Sequence, residues 1–301
     1  MNKERGKSPA ERTPWENTRP GAENLARTEW PAWTRDHLVS EDRMGEAYEA
    51  LDPAARAAVK TAMAMYFRYD EPAREILHEQ RNDPLSGFWR TRTVFCAPWA
   101  VIAVTPAYTA SARLLAALMP AILCGVPQTA CVCVDGDPSD AVLATCELAG
   151  IDTVLKLSLA ELCALLEETQ PGPGRLVLLH EGELDMVRRQ ARGLGVPCFE
   201  ERRSPVLTIL RPELFNLDVL RFAQGEKAVF RALNSPDAAT PDVLYASDEA
   251  VRNHTLTSAA SLFSLSQAQL ALAPGCEGFW LHHGLGRSFF LTHRAGFGMA
   301  R

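Results

Sequence analysis

The chain has 301 residues, 47% hydrophobic and 23% charged, a balance that excludes wholesale disorder and leaves length for one large domain or two smaller ones. Lys and Arg number 31 against 37 Asp and Glu, so the net charge of −6 argues against general nucleic-acid binding, which needs a positive field. No apolar run reaches membrane-spanning length, and the first thirty residues lack the apolar core of a secretory signal, so neither a membrane partner nor export is expected.

Residues 1–35 mix charges with Pro, Asn and Gly without periodicity and are expected to form a mobile tail. Residues 36–90 are expected to form a helical prefix. In it Pro53 opens a run with apolar residues at three- and four-residue spacing, and a second short helix is predicted over 73–80. From about residue 91 the period changes. Val101–Val104 is a short apolar strand ending at Thr105-Pro106, and 111–124 reads as a helix stopped by Gly125 and kinked at Pro120. A buried strand over 129–135, a helix over 139–149 ending at Gly150, a strand at 153–157, a helix at 158–168, a strand at 175–179 and a helix at 182–194 follow. Strands alternating with helices of about ten residues or more imply βαβ crossovers, and hence an α/β fold with a doubly wound parallel sheet over 91–230. Further strand is predicted at 196–199 and 205–210, a helix over 213–229, a long connection over 231–247 and a helix-like run over 258–272. Residues 231–301 are expected to pack on the α/β domain.

Eight cysteines occur with no C-x-x-C pair, and most lie in apolar stretches, so they read as core residues of a reduced, cytoplasmic protein rather than a disulfide or zinc framework. Ligands of open α/β sheets sit beyond the carboxyl ends of strands, which draws attention to the loop carrying Thr105, Tyr108 and Ser111 as a cofactor-binding candidate. No glycine-rich dinucleotide fingerprint or P-loop occurs, and a loop without glycine holds a pyrophosphate at greater distance. Cys276, in the turn Pro274–Gly278, is a candidate nucleophile with Glu277 or a nearby histidine as its base, against the reading of a structural thiol. Three histidines (His282, His283 and His293) crowd the carboxyl end, but neighbours in sequence point apart and rarely share one ion.

The order of several segments resembles histidinol dehydrogenase, of the aldehyde-dehydrogenase-like fold group. Met119-Pro120-Ala121 with Gly125-Val126, Leu148–Asp152, Phe222–Lys227 and Asn253–Thr257 are similar to elements of that family in the same order. The resemblance implies a Rossmann-like fold, NAD and zinc as cofactors, oxidation of an amino alcohol, Gln224 at a metal-ligand position, and Asn253 with His254 at a substrate-contacting element. The departures point the other way. Lys227 stands where the family has a zinc-binding histidine, and a protonated ammonium has no lone pair for a metal. Thr105-Pro106 replaces paired glycines, Ser247 falls at a ligand aspartate, and His180–Glu183 replaces a cofactor-binding turn with added carboxylates. The expectation is therefore a descendant that no longer binds zinc or carries out the oxidation, and that serves as a ligand-binding or interaction protein, a homodimer through its helical prefix included. The competing expectation is an active NAD-dependent oxidoreductase on an amino alcohol or aldehyde, with Cys276 as nucleophile.

Overall fold

The computed structural model describes residues 29–70, 77–83, 85–169, 174–180, 182–201, 205–226, 228–232, 243–253 and 270–299; residues 1–28 of the tail expected over 1–35 lie outside them, as does His254, while Ala32–His37 form a short 3-10 helix. Helix α1 (Glu41–Ala50) starts where the Ser40 hydroxyl accepts from the Arg43 N–H, and α2 (Pro53–Tyr69) where the Asp52 carboxylate accepts from Ala54, with proline at its first position. Residues 77–82, expected to be helical, are instead strand β1 (Leu77–Asn82), paired antiparallel with β2 (Phe88–Cys96). The ladder with β2 supplies backbone partners that the helix propensity of this segment does not outweigh, so the helical prefix ends at Tyr69 rather than near residue 90.

Strand β3 (Trp99–Val104) is buried along its whole length and leads into α3 (Ser111–Cys124), which runs unbroken through Pro120. Next come β4 (Gln128–Val134), α4 (Asp140–Ala149), β5 (Thr153–Leu157), α5 (Leu159–Glu168), β6 (Arg175–Leu179), α6 (Asp185–Gly193) and β7 (Cys198–Glu201). Helices α3 and α4 end at Gly125 and Gly150, with φ of 73° and 72°, the left-handed geometry that glycine adopts without a Cβ clash. Ser158 and Glu161 form a reciprocal capping box at the start of α5. The five strands are parallel in the order β5-β4-β3-β6-β7, so the chain reverses direction across the sheet between β3 and β6. The fold is thus α/β with a Rossmann-like parallel sheet flanked by helices.

A second sheet follows. Strand β8 (Leu207–Ile209), α7 (Leu217–Gln224), β9 (Phe230–Ala232), β10 (Val243–Tyr245), α8 (Asp248–Asn253) and β11 (Leu270–Leu272) give a parallel sheet of order β11-β10-β8-β9. The helix expected over 213–229 covers only Leu217–Gln224, and the connection expected over 231–247 carries parts of two strands. The helix-like run over 258–272 ends in strand β11, its earlier residues lying outside the described set. Strand β8 lies within the strand expected over 205–210; β9, β10 and β11, also three residues long, are too short for the alternation by which a strand is read from sequence. The last strand, β12 (Leu291–Met299), returns to pair with β2 and completes a three-stranded antiparallel sheet of order β1-β2-β12.

Helix α3 is the wall shared by the two parallel sheets. A helix that is apolar all round belongs in an interior, and nearly every residue of α3 is buried. Leu114, Leu118 and Ala121 pack with the β3–β4 side, while Leu115, Met119 and Leu123 pack with Leu207, Val243 and Tyr245 of the second sheet. Burial on this scale contributes about 1.5–3 kcal/mol for each large side chain taken out of water. The carboxyl ends of the first sheet, the amino end of α3 and the carboxyl end of α7 therefore meet at one place.

Candidate functional site

That meeting point is a buried polar cluster. Thr105 follows β3 directly and accepts at its carbonyl from the Tyr108 N–H at 2.9 Å, a turn that swings the Tyr108 ring inward. The Tyr108 hydroxyl donates to Glu201 Oε2 at 3.1 Å, and Glu201 is the last residue of β7. Arg113, in the first turn of α3, donates from Nη1 to Glu201 Oε1 at 3.1 Å and from Nη2 to the Gln224 carbonyl at 3.3 Å. Its guanidinium also lies 5.3 Å from the centre of the Tyr108 ring. The two ionised side chains are 9% and 11% exposed, so they hold each other in a medium that screens poorly. Burial first, then the neighbouring Glu201 carboxylate, pushes the Tyr108 hydroxyl well above its ordinary range, and it stays a donor.

The carboxyl-terminal segment closes the cluster. His282 Nε2 donates to the Arg113 carbonyl at 2.8 Å, and Nδ1 stands 3.8 Å from Glu201 Oε1. Burial lowers the His282 pKa, and the Glu201 charge only partly opposes it, so the ring is neutral near pH 7. Gln224 Nε2 donates to the Tyr245 hydroxyl at 2.9 Å, carrying the network into the second sheet. Beside it, His180 after β6 accepts from the Gly182 and Leu184 N–H groups at 2.9 and 3.1 Å through Nδ1 and donates from Nε2 to Glu200 at 3.1 Å. The imidazole thus organises the start of α6 from inside the protein.

The residues singled out from the sequence divide between two places. Thr105, Tyr108, Ser111 and Gln224 come together here. Ser111 donates to Thr145 at 2.6 Å, Thr145 itself being bonded to the Ala141 carbonyl, so this hydroxyl ties α3 to α4. Cys276 lies elsewhere, in a turn half-buried against the second core; burial first, then Glu277, raises its thiol pKa. Glu277 is 9% exposed and accepts from the Asn216 N–H at 3.4 Å, so it braces the start of α7. Asn253 ends α8. His283 and His293 are exposed while the side chain of His282 is 4% exposed, so the three histidines do not converge. Sequence reading missed Arg113, Glu201 and Tyr245. The charged residue on an otherwise apolar face of α3 was the signal available for Arg113.

Neither group implied by the resemblance fits these residues. Zinc would need lone pairs around Gln224, yet the same residue receives the Arg113 cation at its carbonyl, and among the described residues no three His, Cys, Asp or Glu side chains come together to hold a metal. For a dinucleotide, the space over the amino end of α3 is taken by the end of α7. Gly225 has φ of 89°, and a Cβ built on it would lie 3.0 Å from Thr109 Oγ1 and 3.3 Å from the Ala110 nitrogen. The Glu226 N–H is bonded to Thr109 Oγ1 at 3.1 Å. What remains beside it is a 470 Å³ cleft between the two layers, lined by Thr109, Ser139, Asp140, Asp218, Arg221 and Glu226 among others, where carboxylates outnumber the one arginine. Such a lining repels phosphate.

The fold and this joint define a protein of dehydrogenase-like architecture. Among solved structures, the chain is similar to histidinol dehydrogenase from Elizabethkingia anophelis, with a TM-score of 0.52, 15% identity, and coverage of 88% of this chain and 77% of that one. It also aligns with lactaldehyde dehydrogenase from Escherichia coli at a TM-score of 0.34 and 14% identity, covering 79% of this chain and 52% of that one, and with an aldehyde dehydrogenase from Brucella melitensis at 0.34 and 14%, covering 72% and 54%. The chain spans about half the length of these aldehyde dehydrogenases. No protein-family model matches the chain, and no curated protein matches it. The likeness to histidinol dehydrogenase establishes the fold alone.

Proposed function

We propose that this is a histidinol dehydrogenase-like protein that has lost the zinc- and NAD-dependent oxidation and works by binding a ligand or a partner. One observation carries the reading: the Arg113–Glu201 ion pair, sealed by Tyr108 and His282 and bonded to the Gln224 carbonyl, fills the place where the fold's chemistry would have to occur. A buried pair held through both terminal guanidinium nitrogens is a structural joint; opening it to admit a metal or nicotinamide would strand a buried charge. Eight free cysteines suit a reducing, cytoplasmic setting.

The test uses the purified full chain with histidinol and NAD. We expect no reduced nicotinamide by absorbance, no stoichiometric zinc by elemental analysis, and an unchanged melting temperature in NAD. A bound ligand at about a hundredfold its Kd would add about 2.7 kcal/mol of stability. One zinc per chain together with NAD reduction would overturn the proposal. NAD reduction of an aldehyde that disappears in Cys276→Ala would instead establish an active oxidoreductase with Cys276 as its nucleophile.

A further inference from the structure

The three-stranded sheet bears a face that the joint between the layers does not use. Directly paired residues point to one side of a sheet, so the register sets Arg81, Arg90 and Phe297 in one row, with Glu79 and Arg92 in the next row and Phe88 and Met299 in the row beyond. Phe297 is 64% exposed and Phe88 39%, and their rings stack 29° from parallel with centres 6.2 Å apart. On the opposite face the Trp89 indole covers Gly298, its direct partner, and leaves no room there for a Cβ. The two strands that carry the phenylalanines are thus braced from behind.

Charge on this face departs from that of the chain. Within the three strands Glu79 is its one carboxylate, bonded to Arg81 and 3.9 Å from Arg90 Nη2. Asp83, in the turn beyond, is engaged by the Leu85 N–H at 3.0 Å and the Ser86 hydroxyl at 2.5 Å. Three guanidinium groups against Glu79 leave the strands positive in a chain whose net charge is −6. That sum argues against binding nucleic acid over the whole surface, but a polyanion bound at one face meets the local field and not the sum. Exposed aromatic rings interleaved with arginines on a sheet suit an unpaired nucleic-acid strand, because rings stack on base faces while cations take the phosphates. A duplex keeps its base faces inside and offers such a surface its phosphates alone.

We propose that this face binds single-stranded nucleic acid, with Phe88 and Phe297 as the stacking platform and Arg81, Arg90 and Arg92 on the phosphate backbone. A second copy docked here face to face would set arginine against arginine. An acidic peptide would use the cations and leave both rings without planar partners. The face shares no residue with the joint at the carboxyl ends of the first sheet, so this proposal and the loss of oxidation can each fail without the other.

Fluorescence anisotropy of labelled oligothymidylate and oligouridylate on the full chain tests it. Both are expected to bind, since bases and phosphates are common to them, and more tightly than a duplex of equal length. With three phosphate contacts at about −0.7 each, log affinity is expected to fall against log salt with a slope of about −2. Arg90→Gln/Arg92→Gln is expected to bring that slope to about −0.7. Phe88→Ala/Phe297→Ala is expected to weaken binding about tenfold or more with the slope unchanged. These side chains are exposed, and circular dichroism checks that each variant keeps the fold, with Phe297→Ala alone in reserve for the double variant. No binding at low salt, a duplex bound as tightly, or affinity indifferent to loss of the rings would overturn the proposal. So would polyglutamate bound as tightly as the oligonucleotides, which would give the face to an acidic protein. A wild-type oligomer that dissociates in the ring variant, read by light scattering, would give it to a second copy and overturn the proposal as well.

Discussion

The interior of the five-stranded sheet and the joint at its carboxyl ends are built on opposite principles. In β3 and β6 every residue is buried, all but Arg175 are uncharged, and the contribution comes from apolar area without direction. At the joint, Arg113, Glu201, Tyr108, Gln224 and His282 hold position through directional bonds of 2.8 to 3.3 Å. Apolar packing tolerates substitutions of similar volume, whereas a buried polar joint fails when one partner is removed and recovers when both are.

The largest expected effect breaks that contrast open. Glu201→Leu leaves the Arg113 cation buried without its carboxylate and should cost about 3–5 kcal/mol in urea unfolding. The double variant Arg113→Met/Glu201→Leu should recover most of the loss; equal losses in single and double variants would mean the joint stabilises by packing alone. Ser158→Ala, which removes one half of the α5 capping box far from the joint, should cost about 1 kcal/mol and add independently to the Glu201 effect. The smallest effect is in pH. Because burial holds the folded-state pKa of His282 below its ordinary value of 6.5, the unfolded chain takes up the proton first, and stability falls as pH drops below that value toward the folded-state one. His282→Gln should flatten this acid limb of the stability curve while leaving stability above pH 7 little changed in slope, readable by urea midpoints across a pH series.

Much of the first sheet was legible because its signals are local. The strand at Val101–Val104 and the glycine stops at Gly125 and Gly150 each follow from a few neighbouring residues. The site was legible only in pieces. Thr105, Tyr108, Ser111 and Gln224 were singled out, but as holders of a cofactor or metal, and their hydrogen bonds run instead to Glu201, Thr145 and Tyr245. Cys276 looked reactive for its glycine-flanked turn, a setting that says nothing of the burial and the Glu277 charge that raise its pKa.

The sequence by itself determined the parallel α/β layer, since periodicity and helix caps are properties of segments about ten residues long. The tertiary structure alone decided that 77–82 is a strand, that the three-residue strands from 230 to 272 join the one at 207–209 in a second sheet, and that Arg113 meets Glu201 across 88 residues of chain. The reason is physical: a short strand or a buried ion pair is stabilised by partners distant in sequence, and no local pattern records which partners the fold brings within reach.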